Sequence, residues 1–275
     1  MALSTQGILA AVTIVMYIPF LFTSFKVARK YGIWRGGWTS LLVFCIARVS
    51  AGSFLVAAEF VKPANTGLYT AGYILEVIAL SPLLLCTSSL LRTISEEPDD
   101  KPDNTDNTIF LFLQLSNTAG VLLTVIGISN ATRSSASAST MRKAGFLIFS
   151  VLYVALVGIW IFLWTKVRLV MKYRKRLLKA VSIALPFLAI RTVYGVLSTI
   201  STSTFTFSTN SSEPSTSDLA EFNLVTGEWQ IYLVMVMLAE YAIVIIYTVA
   251  ALVLPLNDDY KPPGLNEDEF PLNRT

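Results

Sequence analysis

Four charged residues stand inside long apolar stretches of this sequence: Arg48, Glu76, Arg191 and Glu240. A guanidinium at the centre of a bilayer costs roughly 2.5–3.5 kcal/mol even on the gentler insertion scales. Charges at that depth face protein or trapped water, where they neutralise one another, bind a ligand or move an ion. Together with Tyr194, which follows Arg191 by one helical turn, these residues form the predicted site.

The composition indicates a membrane protein and excludes several classes of function. Hydrophobic residues make up 54% of the 275-residue chain and charged residues only 14%, whereas soluble domains have about 25% charged residues. The chain has no histidine, which excludes histidine-ligated haem or zinc and catalytic triads that depend on histidine. No phosphate loop, metal cluster or nucleophile motif is present. We therefore predict no enzymatic activity, no cofactor and no metal, and the net charge of +3 is too small to indicate a nucleic-acid partner.

Seven apolar stretches are long enough to cross a bilayer as helices, which predicts an all-α polytopic bundle. Their predicted limits are Gly7–Phe25, Trp38–Glu59, Leu68–Leu91, Thr108–Ile128, Gly145–Thr165, Ala180–Ile200 and Glu228–Leu254. The bundle is expected to occupy residues 1–255. Residues 256–275 are rich in proline and acidic residues, which predicts a disordered cytoplasmic tail.

The distribution of positive charge predicts the orientation of the bundle. Of the 21 lysines and arginines, 15 lie in the first, third and fifth loops and the tail, and only four lie on the other side. The side with more positive charge is normally cytoplasmic. We therefore expect the amino terminus outside and the carboxyl terminus inside, in the plasma membrane or another membrane of the secretory pathway.

The short second loop predicts that Arg48 and Glu76 are neighbours, and the adjacent sixth and seventh spans pair Arg191 with Glu240. At 1.5 Å per residue, all four charges lie about 12–18 Å from the outer ends of their helices, near the middle of the bilayer. Pro186 removes a backbone donor from the sixth span, which predicts a kink below Arg191. Two interpretations remain open. The pairs either fix helix register or line a polar cavity that binds a ligand or moves an ion.

A second group of residues could contact a partner on the cytoplasmic side. The segment 166–179, here called the basic segment, is predicted to be a loop and has seven cations: Lys166, Arg168, Lys172, Arg174, Lys175, Arg176 and Lys179. It could bind anionic lipid, at about 1 kcal/mol per cation near such a surface, or a cytoplasmic effector. Ordinary enrichment of positive charge in cytoplasmic loops also explains it.

Two smaller motifs concern glycosylation and helix packing. Asn130 and Asn210 begin glycosylation sequons in loops predicted to lie outside, and Asn210 is the more usable because Asn130 is close to a helix end. The pairs Gly120/Thr124 and Gly195/Thr199 are typical of close contacts between membrane helices.

The runs LPFLAIRTVY (185–194) and MLAEY (237–241), separated by a Ser/Thr-rich loop, resemble an uncharacterised family of fungal integral membrane proteins. The resemblance implies a seven-helix protein, described only as receptor-like. Other seven-helix families fit less well. The last span has no lysine for a retinal Schiff base, and the motifs that close helices three and seven of the common receptor class are missing. The favoured function is a receptor-like or ligand-sensing bundle, with a small-molecule or lipid transporter and a non-catalytic scaffold as alternatives.

Overall fold

The computed structural model describes residues 5–31, 37–61, 66–95, 104–130, 135–166, 172–201 and 229–254. These residues are almost entirely helical. The helices are α1 (Thr5–Tyr31), α2 (Trp38–Phe60), α3 (Thr66–Ile78), α4 (Leu80–Ser95), α5 (Asn104–Ser129), α6 (Ser135–Thr165), α7 (Lys172–Ser201), α8 (Trp229–Tyr232), a π-helical segment (Leu233–Leu238) and α9 (Ala239–Val253). The predicted tail, 256–275, lies outside the described residues.

Seven helical stretches are long and apolar enough to cross a membrane, which confirms the predicted multi-pass, all-helical architecture. The third span joins α3 and α4, and the seventh joins α8, the π segment and α9. Large apolar side chains on the first, fourth and fifth spans are exposed on the outside of the bundle, including Val15, Phe112 and Leu147. Because so much apolar surface would be unstable in water, a lipid bilayer is the environment that suits it.

The third span is the centre of the bundle. Two-thirds of its most apolar stretch is buried, a larger share than in any of the other six spans. Its second half, α4, packs against α2, α5, α6 and α7. Most side chains on this span therefore face other helices rather than lipid, and Glu76 is one of the buried ones.

A break in the third span separates α3 from α4 at Ala79, three residues after Glu76. The cause is Pro82, which has no N–H for the carbonyl of Ile78 and whose ring collides with that carbonyl in a regular helix. The amide of Ala79 still donates to the carbonyl of Leu75 at 3.1 Å. The two helices therefore continue as one span with an irregular joint beside a buried charge.

The sixth span behaves differently, since α7 is one continuous helix through Pro186. The proline therefore causes no break, and the predicted bend stays a prediction. One turn before it, the hydroxyl of Ser182 accepts hydrogen bonds from the indoles of Trp160 (2.8 Å) and Trp164 (3.2 Å) on α6. The same hydroxyl donates to the carbonyl of Leu178 at 2.8 Å. These bonds hold α6 and α7 together just below the proline.

Two predicted helix starts are wrong. Helix α6 begins at Ser135 rather than Gly145, and α7 begins at Lys172 rather than Ala180. Hydropathy detects the part of a helix that lies in lipid, whereas alanine, leucine, lysine and arginine favour helix in any environment. Consequently Arg142 is a helical residue, and the second half of the basic segment is helix rather than loop.

The apolar core is concentrated in one half of the bundle, formed by the first half of α2, α4, the first half of α7, and α9. We call this the leucine-rich half. Its most buried members, each at most 1% exposed, include Leu41, Phe44, Leu80, Leu83, Leu90, Leu91, Leu177, Leu178, Val181, Ile243 and Val244. In the opposite half, α2 buries only small residues after Arg48, namely Ala51, Gly52 and Ala58. The charged residues lie where these two halves meet.

Both predicted small-residue motifs contact α6. A Cβ added at Gly120 would lie 2.9 Å from the ring of Phe149, and one added at Gly195 would lie 2.5 Å from the ring of Phe146. The carbonyl of Thr199 accepts a hydrogen bond from the side chain of Arg142. The fourth and sixth spans therefore approach the fifth closely on two sides, as small residues allow.

Candidate functional site

The structure brings the four mid-membrane charges together, and each is at most 3% exposed. Arg48 Nη1 lies 3.6 Å from Glu76 Oε1, and Arg191 Nε lies 2.5 Å from Glu240 Oε1. Both pairs expected from the sequence are therefore present, the first between α2 and α3 and the second between α7 and α9.

A third ion pair joins the two expected ones, since Arg48 Nη2 contacts Glu240 Oε2. The carboxylate of Glu240 thus lies between two guanidinium groups. Arg191 Nη2 also donates to the backbone carbonyl of Glu76 at 3.3 Å, beside the break in the third span. These contacts close a ring, here called the charge ring, which joins the second, third, sixth and seventh spans.

The charge ring has no net charge, because its two arginines balance its two glutamates. Each ion loses hydration on burial, and only good geometry with further hydrogen bonds offsets that loss. Arg48 Nε and the nearby hydroxyl of Tyr17 have no hydrogen-bond partner among the described residues. Buried polar atoms of this kind are rare, and they commonly mark a water, an ion or a functional site.

Four tyrosines surround the charge ring. The hydroxyl of Tyr232 forms a side-chain hydrogen bond with Glu76. The rings of Tyr194 and Tyr232 meet edge to face with centroids 6.4 Å apart. Tyr194 is within electrostatic range of Glu76 and Arg191, as expected for a member of the predicted site. Tyr17 and Tyr73 lie close to the same charges.

The seventh span changes from π to α geometry directly before Glu240. Single π turns inside α-helices occur frequently at functional sites. Tyr232 immediately precedes the π segment and Glu240 lies just after it, so the irregular turn separates two members of the site. Nothing in the sequence indicated this segment.

A cleft leads from the charge ring toward the ends of α5, α6 and α7, on the side away from the leucine-rich half. Its lining residues are Glu76, Val77, Ile128, Arg142, Phe146, Arg191, Tyr194, Gly195, Ser198 and Thr199. The free space suits about one or two water-sized groups. Glu76 and Arg191 form its floor, and Arg142 and Thr199 lie at its rim.

Arg142 is the cleft residue that sequence reasoning missed, because it was assigned to a loop. It lies on α6, is 5% exposed, and its Nη2 donates to the carbonyl of Thr199 at 3.4 Å. A cation near the C-terminal end of a helix such as α7 is stabilised by the unpaired carbonyls there. The alanines and the Met-Arg-Lys-Ala residues of the stretch 136–144 favour helix, and they were the signal that could have revealed its position.

The leucine-rich half closes the other side of the charge ring. Below it the polar contacts are few. The hydroxyls of Thr87 and Tyr247 are 2.7 Å apart, and Asn117 donates to Ser81 at 2.5 Å. The two cysteines, Cys45 and Cys86, are buried as free thiols. In this conformation the cleft therefore ends at the charge ring.

The basic segment is not uniformly exposed. Lys166, Arg176 and Lys179 are exposed, Lys175 is half-buried, and Arg174 is only 3% exposed. The charge of Arg174 is consequently not presented at the surface, contrary to the prediction for a loop. Lys172 begins α7, and Arg168 lies outside the described residues.

The remaining predicted sites concern glycosylation and metal. Asn130 is an exposed turn residue directly after α5, whereas Asn210 lies outside the described residues. In the part of the chain that the structure describes, no three His, Cys, Asp or Glu side chains converge.

Comparison with known proteins assigns the family but no activity. A protein-family model described as Domain of unknown function (DUF7702) matches residues 3–257, which include all seven spans. Neither the curated proteins nor the solved structures gave a match. The match agrees with the expected resemblance to an uncharacterised family, while the fungal origin stays a prediction. The chain therefore belongs to the DUF7702 family, a domain of unknown function.

Proposed function

We propose that this protein is a receptor-like, ligand-sensing seven-helix membrane protein, with its amino terminus outside and its carboxyl terminus in the cytoplasm. The observation that carries the proposal is the cleft that ends on the charge ring. A ligand that reaches Arg191 or Glu76 alters bonds shared by four spans. A ligand that makes different contacts in two arrangements of the helices shifts the equilibrium toward the arrangement that it binds more tightly.

The orientation rests on charge. The side predicted to be cytoplasmic has 15 of the 21 cations. The rim of the cleft, at Ile128, Arg142 and Thr199, lies at the opposite ends of the helices and would face outward. Because Arg142 is buried inside the bundle rather than placed in a loop, the outer loops have even fewer cations than the sequence suggested. This supports the positive-inside assignment.

Sensing is favoured over transport by the shape of the interior. The leucine-rich half closes the cleft on the cytoplasmic side, so a ligand would enter and leave by the same route. The exposed cations Lys166, Arg176 and Lys179 lie at that closed end. They could contact anionic lipid or a cytoplasmic effector, with about 1 kcal/mol from each cation near an anionic surface.

Transport is the second candidate, and two irregular helices favour it. The third span breaks beside Glu76, and the π segment ends beside Glu240. Discontinuous helices near mid-membrane charges are typical of secondary transporters. A scaffold is the third candidate, in which the charge ring only fixes how the spans pack.

Hydrogen–deuterium exchange of the full chain in nanodiscs tests the proposal by comparing the wild type with Glu76→Gln. Sensing predicts faster exchange at the cytoplasmic end of α7 and in the seventh span, with unchanged abundance. Glu59→Gln, at the end of α2 and outside the charge ring, is the matched control. Reduced abundance with no local change at α7 would instead support a scaffold. Altered solute flux through proteoliposomes would support transport.

The orientation has its own test. Asn130→Cys and Lys166→Cys place single reactive thiols on exposed residues near opposite ends of the bundle, while both native cysteines are buried. An impermeant maleimide applied to intact cells should label the first variant and not the second. The reverse pattern would overturn the proposed orientation.

A further inference from the structure

We infer that the lipid-facing side of α5 binds a second copy of this chain through Gln114, which gives a dimer whose two-fold axis lies along the membrane normal. The contact surface, here called the Gln114 face, consists of Leu111, Gln114, Thr118, Val121 and Val125. The inference concerns how the protein assembles in the membrane, and it does not depend on the proposed sensing function.

Gln114 is a polar residue within an apolar surface. It lies six residues, or about 9 Å, from the start of the fourth span at Thr108. Its side chain is exposed, and exposed apolar side chains continue along α5 on both sides of it. These are Ile109, Leu111 and Phe112 on one side and Leu115, Leu122 and Ile126 on the other. The carboxamide of Gln114 therefore lies at the depth of the hydrocarbon rather than at the depth of the lipid headgroups.

The polar groups of Gln114 are not satisfied by its own chain. The exposed hydroxyls of Thr118 and Ser53 each donate to the backbone carbonyl four residues earlier, at 3.0 and 2.8 Å. The carboxamide has two N–H donors and one carbonyl acceptor, and within the described part of the chain the side chain of Gln114 makes no hydrogen bond. An amide without partners is unstable in hydrocarbon, and a glutamine in a membrane helix can find its partner on a neighbouring helix.

A second copy of this chain supplies a partner of the right chemistry at the right depth. Copies of one membrane protein insert with the same orientation, so a two-fold axis along the membrane normal places each residue level with its own counterpart. Because a carboxamide is both donor and acceptor, two Gln114 side chains can satisfy each other with a reciprocal pair of hydrogen bonds. A different protein would need a polar side chain at the same depth on its own lipid-facing surface.

The spacing of the Gln114 face suits a contact between two helices. Its five residues follow one another at intervals of three, four, three and four, which is the pattern of helices that cross at about 20°. The fourth span has room for such a contact, since only 28% of its most apolar stretch is buried. Leu111, Gln114 and Thr118 are exposed, whereas Val121 and Val125 are half-buried. The contact would therefore be closest around Gln114.

Förster resonance energy transfer between full-length chains in proteoliposomes tests the inference. Each chain has one donor or acceptor dye at Lys166→Cys, an exposed position, and both native cysteines are buried. The expected result is energy transfer that saturates as the protein-to-lipid ratio rises. Gln114→Leu keeps the size of the side chain and removes its polar groups, so it should weaken the apparent association by about tenfold or more, as expected when two hydrogen bonds between helices are lost.

Gln230→Leu is the matched control, because Gln230 is an exposed glutamine at the end of the seventh span rather than within an apolar surface. It should leave the association unchanged. A wild-type protein that stays monomeric at every protein-to-lipid ratio would overturn the inference, and so would an unchanged association in Gln114→Leu.

Disulfide cross-linking in membranes covers the case in which Gln114→Leu does not insert. Leu111→Cys places a thiol on the Gln114 face, whereas Phe112→Cys places one about 100° around the same helix. Both positions are exposed, at 57% and 69%, so accessibility does not distinguish them. Oxidation with copper phenanthroline should give the dimer at least tenfold faster with Leu111→Cys. Equal rates would overturn the inference, and cross-links to another protein without any dimer would replace the second copy by a different partner.

Discussion

The guanidinium of Arg48 contacts the carboxylate of Glu240, although the two residues lie on the second and seventh spans. This contact turns two separate ion pairs into one closed ring. Glu240 therefore compensates the charges of two buried arginines at once. Among the four members of the charge ring, its replacement should lower the stability of the protein most. The first two predictions follow from this arrangement.

Glu240→Gln should lower the free energy of unfolding by about 3–5 kcal/mol, because it leaves buried arginine charge without compensation. The change is measured on the purified protein in mixed micelles. Glu59→Gln, which alters a partly exposed glutamate at the end of α2, should have a clearly smaller effect. Equal losses in the two variants would contradict the importance assigned to Glu240.

The contact between Arg48 and Glu240 predicts energetic coupling between the second and seventh spans. The double variant Arg48→Gln/Glu240→Gln should lose less stability than the sum of its two single variants, by about 0.5–3 kcal/mol. Arg48→Gln combined with Thr118→Ala, an exposed residue on α5, should be additive. Additivity in the first pair would show that this ion contact is not maintained in the membrane.

Gly145→Ala should destabilise the bundle by about 1–3 kcal/mol through overpacking. An added Cβ would lie 2.9 Å from the backbone oxygen of Gly120 and would also press against the hydroxyl of Thr124. Gly158→Ala on the same helix is the matched control, since no atom lies within 4 Å of its added Cβ. That control should be neutral or should stabilise the helix by up to about 1 kcal/mol. The midpoints of thermal unfolding of the two variants make the comparison.

Glycosylation provides an independent test of the proposed orientation. If the sixth loop lies outside, Asn210→Gln should remove a mobility shift that endoglycosidase treatment also removes. Asn130→Gln should leave the shift unchanged, because Asn130 directly follows the last turn of α5 and is too close to the membrane. If endoglycosidase treatment does not change the mobility of the wild-type protein, the result would weigh against an outer sixth loop.

The sequence predicted the spans and two of the three ion pairs for a simple reason. An apolar stretch of about 20 residues can satisfy its backbone in lipid only as a helix, and helices joined by short loops are neighbours. Arg48 and Glu76 therefore had to meet, as did Arg191 and Glu240. The break beside Glu76 also had a visible cause in Pro82.

The contact between Arg48 and Glu240 could not be predicted in the same way. Whether the second span meets the seventh depends on how all the helices pack, and loop lengths do not contain that information. Arg142 was missed for another reason. Hydropathy identifies the residues of a helix that lie in lipid. Helix α6 begins earlier, in a polar stretch where only helix propensity indicates that the residues are helical.

The π segment between Tyr232 and Glu240 has a geometric consequence for the seventh span. Each of its turns contains more residues than an α turn, so regular α geometry over Leu233–Leu238 would shift the register of the preceding residues. One residue of shift corresponds to a rotation of about 100° around the helix axis. Such a rotation would turn Tyr232 away from Glu76 while Glu240 kept its place between the arginines. A small change in winding, without any movement of a whole helix, would thus separate the hydroxyl from the carboxylate.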